Sequence, residues 1–565
     1  MWIKILLLFF VYSFLFRIDT SFNQDLGRHI KLGEIIIQTK SIPKTNLFSY
    51  TNPDFPFINT HWLFEVLAYG FNQTIGIYWL LILKFLIILL SVWLVIKTIP
   101  KSHQALLLPV GFIFLHVLRE RLELRPEIFS FLFTAITLFI LEKFLRERTR
   151  WIFLLPLIQL VWINTHIYFF IGLMLQAFFI IHLAYQKLRS HSSTHSTSLS
   201  VDPEYIEGSS GKLQFLSIIF GLSVLISFIN PNGIQEVLYP LNVTKNYGYT
   251  IVENQTMFLL ESIQFRDANF LFVKLSTLLV GLSLIVGFFR KTLQLRWVLL
   301  SISGVTLALM HVRSFPYLVF LSFPAVLQNF GVISWNGFTK TLTILLAVIL
   351  LLESFFYLNG DYYRMRDDYH QAGFGFEQSV KGALDFVLTQ NLPGPIYNNF
   401  DIGSYILYRG YPKYQVFIDG RPEAYPASFF SGVYMPSQSN YKNFKELEKI
   451  YNFKTIIFSH TDQTPWGRVF LQSVVKDPDW KLVYIDDFVL VLTKEEMEPI
   501  DLSNLNPNSY KFDNHVAYLR LGLFLLSTEY QESARKFIQK SLQIFPNSPV
   551  ANSILGRESK NTFFW

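Results

Sequence analysis

Long apolar runs separated by short polar turns fill the first two thirds of the chain. Residues 76–96 and 339–357 are almost uncharged, and crossing a bilayer as a helix takes about 20 such residues. We count about eleven segments of this kind, near residues 2–16, 74–96, 103–118, 126–145, 151–163, 166–186, 213–229, 270–289, 297–312, 315–331 and 339–357. The pattern predicts an α-helical polytopic membrane protein.

The pattern changes after residue 357. A helical stretch at 375–391 is followed by short β-like runs with turn signals between them, at 395–400 (PIYNNF), 414–420 (YQVFIDG), 454–460 (KTIIFSH) and 481–494 (KLVYIDDFVLVLTK). The sequence therefore predicts three parts: a transmembrane domain over 1–357 with a long first loop at 18–73, an α/β domain over 358–498, and a helical hairpin over 499–565.

The hairpin is predicted from two amphipathic helices within 510–556. Its spacing is close to that of a tetratricopeptide (TPR) unit, through Leu521-Gly522, Tyr530, Ala534, Phe537 and Pro546. One such unit cannot bury its own apolar face. We expect it to pack on the α/β domain or to bind another envelope protein.

The distribution of Lys and Arg predicts the orientation. With the N-terminus inside, alternate loops carry most of these residues, as cytoplasmic loops do: Lys97, Lys101, Lys143, Arg146, Arg148, Arg150, Lys187, Arg189, Lys212, Arg290, Lys291, Arg296 and Lys340. This bias predicts a multi-pass protein of the cytoplasmic (inner) membrane with its C-terminal domain outside. The Ser- and His-rich residues 190–211 then form a flexible inner linker whose histidines are not metal ligands.

Composition agrees with this class. Apolar residues make up 51% of the chain, 57 residues are Phe, and the mean hydropathy is +0.33. The net charge of +7 is a topology signal and does not indicate nucleic-acid binding. The absence of Cys excludes disulfides and thiolate metal sites. The first apolar run lacks a small-residue cleavage site, so we expect no cleaved signal peptide.

Four ionisable residues of the first loop form the strongest candidate site, because such groups at a bilayer surface are costly to dehydrate. Asp25 and His29 are four positions apart, as are His61 and Glu65, so a helix would place each pair on one face. A carboxylate at the membrane edge can remove a proton from an acceptor hydroxyl, which makes Asp25 the catalytic candidate. The simpler alternative is that Asp25, Ser21 or Asn23 caps the helix that runs to about Gln38.

Further polar residues lie in the other loops on the same predicted side: Arg119, Arg121, Arg125, Asn164, His166 and Arg313. Arg on the outer side opposes the usual bias, so it needs compensation, and a phosphate is one suitable ligand. The alternative is that the Arg residues pair with Glu120, Glu123 and Glu127. The loop aromatics Phe48, Tyr50, Phe55 and Phe57 are typical of a membrane-interface belt.

Residues 25–65 resemble the first outer loop of bacterial GT-C membrane glycosyltransferases, including predicted relatives of the dolichyl-phosphate-mannose protein mannosyltransferases. The matching positions are Asp25, His29, Gly33-Glu34, Pro43, Phe48-Ser49-Tyr50-Thr51 and Trp62-Leu63-Phe64-Glu65, with further likeness at Leu124-Arg125-Pro126, 162–166, 230–233, 313–316, 399–405 and 417–421. One position departs from the pattern: Asn23 stands where many relatives carry a second Asp.

The resemblance implies a GT-C-like hexosyltransferase that moves a sugar from a polyprenyl-phosphate lipid to a glycan, lipid or protein acceptor on the outer face. It implies Asp25 as base or metal ligand, and it leaves a divalent cation, Mg²⁺ or Mn²⁺, open as cofactor. Donor-phosphate or substrate binding then falls to His29, His61, Glu65, Arg121, Arg125, Asn164, His166 and Arg313. Neither the donor sugar nor the acceptor is encoded in a motif we can identify.

Three other classes remain as alternatives. A non-catalytic envelope scaffold is consistent with Asn23 and with the short first span. A transporter would need ionisable groups near the bilayer midplane and related halves, and only Lys84 is a plain example. A hydrolase site in the tail lacks the sequence of a nucleophile elbow, although Ser404, Asp419, His460 and Asp462 are present.

Overall fold

The computed structural model describes residues 1–119, 121–147, 149–193, 203–242, 247–265 and 267–556. The predicted membrane part is mainly helical. Its helices are α1 (Trp2–Leu15), α2 (Gly27–Thr39), α3 (Trp62–Thr74), α4 (Tyr78–Thr98), α5 (Leu107–His116), α6 (Glu127–Glu147), α7 (Leu154–Ile163), α8 (Phe170–Ser193), α9 (Pro203–Ile226), α10 (Ile234–Val237), α11 (Met257–Ser262), α12 (Ala268–Arg290), α13 (Leu295–Met310), α14 (Phe315–Tyr317), α15 (Phe323–Phe330) and α16 (Gly337–Leu358).

Five helices in the described ranges are long and apolar enough to cross a membrane: Tyr78–Thr98, Glu127–Glu147, Ile167–Arg189, Ala268–Arg290 and Gly337–Leu358. Other predicted segments form shorter apolar helices, Trp2–Leu15, Arg150–Ile163, Ser210–Ile226 and Leu295–Met310. The chain is a multi-pass membrane protein, and a total of eleven spans stays a prediction.

Two predicted spans are interrupted. The segment 103–118 divides into a 3₁₀ turn, Lys101–Leu106, and the short α5. The segment 315–331 divides into α14, a π turn at Leu318–Ser322, and α15. Pro316 and Pro324 lie in the first turns of α14 and α15, where a missing N–H costs no helical hydrogen bond.

The predicted inner linker is shorter than expected. Helix α8 continues to Ser193 and α9 begins at Pro203, so helical structure enters the range 190–211 from both ends. Residues 194–202 of that range lie outside the described residues, as do Glu120 and Arg148.

The tail combines short helices with a small sheet. Its helices are α17 (Asp361–Arg364), α18 (Lys381–Thr389), α19 (Gly403–Gly410), α20 (Ala427–Phe429), α21 (Met435–Ser439), α22 (Tyr441–Tyr451), α23 (Pro465–Val474), α24 (His515–Ser527), α25 (Gln531–Ile544) and α26 (Pro549–Ile554). The strands are β1 (Ile396–Asn398), β2 (Thr455–Ser459), β3 (Lys481–Ile485) and β4 (Val489–Thr493), in the order β1-β2-β4-β3. β1 is parallel to β2, and the other pairs are antiparallel.

Two local predictions for the tail were wrong. The run 414–420 is not a strand of the sheet, because its backbone bonds go elsewhere: Val416 N–H donates to Phe48 O (3.1 Å) and Phe417 N–H to the side chain of Asn398 (3.0 Å). The helix predicted for 375–391 begins only at Lys381. The residues before it extend along the first loop, where Asp19 and Phe376 form an isolated bridge.

The terminal helices α24 and α25 pair with each other and pack on the tail. Gly522 of α24 lies so close to α25 that a Cβ there would be 2.9 Å from Ile538 Cγ1. Leu521, Phe524 and Phe537 share one buried core with the sheet residues Phe458 and Leu490. The hairpin thus covers its apolar face against the α/β part, and its kinship with TPR units stays a prediction.

The first loop connects the membrane part to the tail. Helices α2 and α3 pack against each other, and α19 of the tail packs on α2. Isolated bridges join Arg17 to Ala372 and Ser49 to Val416. The first loop therefore lies between the spanning helices and the tail, and the polar residues predicted for the site lie there.

Candidate functional site

Asp25 lies in a single π turn, Phe22–Leu26, that leads directly into α2. Its carboxylate accepts a hydrogen bond from Arg28 Nη2 (3.1 Å) and forms an ion pair with Arg125 Nε (3.4 Å). Its side chain is 23% exposed. The capping alternative is wrong, since neither turn has a side-chain cap at its start. The ion-pair partners of Asp25 are thus Arg28 and Arg125, and whether Asp25 acts together with His29 stays a prediction.

Glu253 is the centre of the arginine cluster. Its carboxylate lies 2.6 Å from Arg121 Nη1, 2.9 Å from Arg125 Nη1 and 3.5 Å from Arg313 Nη2. Burial alone would raise the pKa of Glu253, but the three guanidinium groups hold it well below its ordinary 4.5. The Glu253 carboxylate therefore lies where three guanidinium groups converge.

Among the described residues, which do not include Glu120, the alternative pairing of the arginines holds for one pair. Arg121 does bond Glu127 (3.2 Å), whereas Glu123 instead pairs with Arg17 (2.6 Å). Arg119 donates to the Tyr357 hydroxyl and to Asn269, each at 3.0 Å, so it belongs to the packing of the helices and not to the cluster. Local ion pairing accounts for part of the cluster only.

The cluster also retains unused hydrogen-bond donors. The Nε–H groups of Arg28, Arg121 and Arg313 are buried, and none makes a hydrogen bond to any of the residues that the structure describes. The Nε–H of Arg125 has no hydrogen bond either and only the longer ion pair with Asp25. Buried donors without hydrogen bonds are uncommon and costly. Because these arginines share Asp25 or Glu253 as partners, their unbonded donors favour an additional anionic, oxygen-rich group.

A second group of polar residues lies where α2 meets α3. Glu65 is 1% exposed, accepts from Asn59 Nδ2 at 2.6 Å and lies 3.1 Å from His29 Nδ1. Burial raises the pKa of Glu65 to about 7. Burial and the charge of Arg28 lower the pKa of His29 well below 6.5. Below about pH 7 these shifts favour a protonated Glu65 beside a neutral His29.

His61, His166 and Asn164 complete this second group. The His61 ring lies 5.8 Å from the His29 ring and 5.5 Å from the His166 ring. Burial lowers the pKa of His61 to about 3. Asn164 accepts from Trp62 Nε1 (2.9 Å) and donates to two backbone carbonyls, so it fixes helix ends and has little capacity left for a substrate.

The structure thus brings all nine predicted site residues to one region in two adjoining groups. Arg28 joins them, because it bonds Asp25 and its charge acts on His29, His61 and Glu65. Sequence reasoning missed Arg28, Asn59 and Glu253. Glu253 had a signal: the outer-loop arginines required a counter-charge, and it is a carboxylate in another loop of the same predicted side.

Three of the first-loop aromatic residues, Phe48, Tyr50 and Phe57, do not form the predicted membrane-interface belt. Phe48 and Phe57 are buried and face the guanidinium of Arg421, 5.1 and 4.7 Å from their ring centres. The Tyr50 hydroxyl donates to Ile396 O (2.7 Å). These side chains attach the loop to the tail, because the tail covers the loop.

The residues around Asp25 do not fit a divalent cation. No group of three His, Asp or Glu side chains suited to a metal ion occurs in the described parts of the chain. At Asp25 the guanidinium groups of Arg28 and Arg125 would repel a cation. The chemistry of these residues therefore argues against Asp25 as a ligand of Mg²⁺ or Mn²⁺.

The tail residues of the hydrolase alternative do not form a catalytic site. Asp419 is bound to Arg421, and His460 Nε2 bonds the backbone of Asp486 (2.9 Å). Asp462 accepts from Asn399 and from the backbone of Thr464. These three side chains have local bonding roles within the tail, and none of these bonds goes to Ser404.

No protein-family model matches the chain, and no curated protein matches it. Three solved structures from Archaeoglobus fulgidus have similar backbones. One is the archaeal oligosaccharyltransferase AglB in complex with an inhibitory peptide and a dolichol-phosphate, at 10% identity and a TM-score of 0.49, covering 99% of this chain and 87% of that one. The second is the oligosaccharyltransferase in the apo form, at 11% and 0.49, covering 83% and 71%.

The third is the oligosaccharyltransferase tethered by a disulfide bond to an acceptor peptide with the NVT sequon, at 9% identity and a TM-score of 0.46, covering 88% of this chain and 74% of that one. With identities this low and TM-scores below 0.5, the chemistry of this chain has to be argued from its own side chains.

Proposed function

We propose that this protein is a membrane glycosyltransferase that moves a sugar from a polyprenyl-phosphate donor to an acceptor on the outer face of the cytoplasmic membrane. The observation that carries the proposal is the convergence of Arg121, Arg125 and Arg313 on one carboxylate, directly beside Asp25. The resemblance of the first loop to GT-C glycosyltransferases supports the same class.

The arginine cluster is the proposed site of the donor phosphate. Guanidinium groups bind phosphate through two parallel hydrogen bonds, and such charge-assisted bonds are the strong ones. A phosphate in the position of the Glu253 carboxylate would keep the ion pairs and would offer more acceptor oxygens to the unused Nε–H groups. Glu253 therefore holds the cluster together until a donor replaces it.

An apolar surface continues from this cluster. Helix α11 begins four residues after Glu253, and Phe258, Leu259 and Ile263 on and beside it are 55%, 48% and 65% exposed. The backbone holds this segment against the Arg313 turn, since Val312 N–H donates to Gln255 O (3.0 Å). An isoprenoid chain leaving the phosphate would meet this surface and pass into the lipid.

Asp25 is the proposed base. The bond between the sugar anomeric carbon and the donor phosphate oxygen breaks, and a bond from that carbon to the acceptor oxygen forms. Asp25 takes the acceptor proton, and the polyprenyl phosphate leaves while Arg121, Arg125 and Arg313 hold its charge. Because the leaving group is a phosphate stabilised by three cations, no general acid is needed.

The test uses the purified full-length protein in nanodiscs and a panel of polyprenyl-phosphate sugars. We expect the wild type to release sugar and Asp25→Asn to be at least about 100-fold slower, which is the usual contribution of a general base. Asp25→Asn should still bind the donor, whereas Arg125→Gln should lose donor binding. Arg364→Gln is the matched control, since this arginine pairs with Asp361 at the surface, away from the site.

Equal sugar release by the wild type and Asp25→Asn would remove Asp25 from the mechanism. Absence of turnover with every donor, in a folded wild type that also fails to bind polyprenyl phosphate, would overturn the proposal and favour the scaffold. Movement of the intact donor across the membrane without sugar release would favour the transporter.

A further inference from the structure

A cavity of about 230 Å³ lies between the terminal hairpin, the segment that follows α16, and the end of α1, and none of the site residues lines it. Its wall includes Tyr369, Gln378, Asp487, Phe512, Asn514 and Arg520. Four separate stretches of the chain meet there: Ile18, residues 369–379, Asp487 and residues 511–520. The cavity is therefore a product of the tertiary fold and not a groove within one helix.

The wall carries charges of both signs: three carboxylates (Glu377, Asp487 and Asp513) and two cations (Lys511 and Arg520). Arg520 lies 3.4 Å from Asp487 and 3.9 Å from Glu377, so its charge is used within the wall. A strongly anionic ligand would meet the carboxylates, and a strongly cationic one would meet Lys511 and Arg520. The arrangement favours a neutral ligand that both donates and accepts hydrogen bonds.

Amide and carboxylate groups supply the matching bonds. Asn514 uses its Oδ1 to accept from Ala517 N–H while its amide remains a two-proton donor. Gln378 accepts from the Tyr405 hydroxyl and Ser379 donates to Glu377, which holds their side chains in place. The wall therefore offers both donors and acceptors, as the hydroxyl groups of a sugar require.

Two aromatic side chains supply apolar surface. Tyr369 is 44% exposed; the His370 ring lies 4.0 Å and the Arg520 guanidinium 5.6 Å from its ring centre, so a ligand would meet the exposed remainder of the ring. Phe512 is held by an edge contact with Tyr518, with ring centres 4.9 Å apart. Aromatic faces pack against the C–H face of a pyranose ring, which has one apolar side.

We propose that this cavity is a non-catalytic carbohydrate-binding site that takes a single neutral monosaccharide unit, such as the end of a glycan. The volume is below that of sites for drug-sized ligands and suits one ring. The site is independent of the transfer reaction, because it needs neither the donor nor Asp25.

The experiment is saturation-transfer NMR on the full-length protein in nanodiscs, which avoids sugar-based detergents. The probes are glucose, galactose, mannose and N-acetylglucosamine. We expect saturation transfer to at least one of them, and a loss of about tenfold in affinity for both Tyr369→Ala and Asp487→Asn. Trp335→Ala is the matched control, an equally exposed aromatic (44%) outside the cavity.

Thermal unfolding of each variant identifies any that fail to fold, and Gln371→Ala, at an exposed position of the same wall, then replaces it. Undiminished binding in the cavity variants would overturn the proposal, as would the absence of binding by all four sugars. Binding that is lost in Arg125→Gln and kept in Tyr369→Ala would place the sugar at the donor site and would also overturn it.

Discussion

At the scale of single residues, Glu65 shows how burial sets a protonation state. Its carboxyl lies between Asn59 and His29 with almost no access to water. Desolvation disfavours the charged form of both Glu65 and His29, so the neutral pair is the stable one. The pair then shares one hydrogen bond without separating charge. Because His29 is on α2 and Glu65 on α3, this bond joins the two helices.

The raised pKa of Glu65 predicts a pH dependence of stability. Between pH 4.5, its ordinary pKa, and about 7, its pKa in the fold, the native state holds a proton that the unfolded state has released. Stability therefore falls as pH rises through this window. We expect Glu65→Gln, which mimics the protonated acid, to be more stable than the wild type at pH 8, by on the order of 3 kcal/mol.

The measurement is thermal unfolding of both proteins from pH 4.5 to 8. The opposing titration of the neighbouring histidines is common to both, so the difference between the two curves reports Glu65. Glu34→Gln is the control, because Glu34 is part exposed and paired with Lys31 at 2.6 Å. Curves that stay parallel for wild type and Glu65→Gln would show that Glu65 is ionised in the fold.

The sequence predicted which residues lie in the site better than it predicted which side chains they contact. Asp25, Arg125 and Arg313 stood out because charged groups are rare beside apolar runs. Their contacts depend on Glu253, which lies 128 positions after Arg125, and no local pattern connects the two. Periodicity reports which residues share a face, and it does not report which loops meet in space.

At the scale of elements, the contact between α2 and α3 depends on Gly33. A Cβ at this position would overlap the carbonyl group of Glu65 and would lie 2.8 Å from Tyr69 Cβ. The obstacle is backbone, which cannot rotate away as a side chain can. The absence of a side chain at residue 33 thus lets the two helices bring His29 and Glu65 into contact.

We expect Gly33→Ala to destabilise the protein by about 3 kcal/mol or more, at or above the upper end of the range for overpacking, and to reduce sugar release. Gly70→Ala is the matched control in α3, where no atom lies within 4 Å of an added Cβ. That variant should be unchanged or more stable by about 0.5–1 kcal/mol, since Ala favours a helix. A melting temperature for Gly33→Ala equal to that of Gly70→Ala would contradict the packing described.

The sequence predicted the helices of this protein more fully than its strands. The long apolar helices, the first-loop helices and three of the four β-like runs are present, because their apolar positions are buried in the way the pattern implies. The run 414–420 has the alternation of a strand, yet its hydrogen bonds go to Phe48 and Asn398. Strand propensity depends on which partner is available, and here the partner is a loop.

At the scale of the whole molecule, a buried ion pair attaches the first loop to the spanning helices, and a buried hydrogen bond attaches it to the tail. Lys84 of α4 donates to Asp19 (2.8 Å), and both are fully buried. On the other side, Arg421 of the tail bonds Asp419 (2.7 Å) and Asn46 (2.6 Å). Lys84 therefore has a structural partner, which weakens the transporter alternative.

Arg421→Gln should loosen the loop from the tail. Removing one partner of a buried ion pair leaves Asp419 without its counter-charge and costs about 3–5 kcal/mol. We expect faster hydrogen exchange over residues 44–57, measured by mass spectrometry. The control is Arg409→Gln, whose pair with Asp385 is about one third exposed and is expected to contribute no more than about 1 kcal/mol. Equal exchange in the two variants would refute the attachment.

Gly420 of the tail lies under the proposed base: a Cβ there would be 3.7 Å from Asp25 Oδ1 and 3.3 Å from the Gln24 carbonyl. The Asp25 carboxylate thus rests on a surface that the tail supplies. Exchanging the tail for that of a distant homologue would alter the environment of this carboxylate. We therefore expect the first loop and the tail to work only as a matched pair.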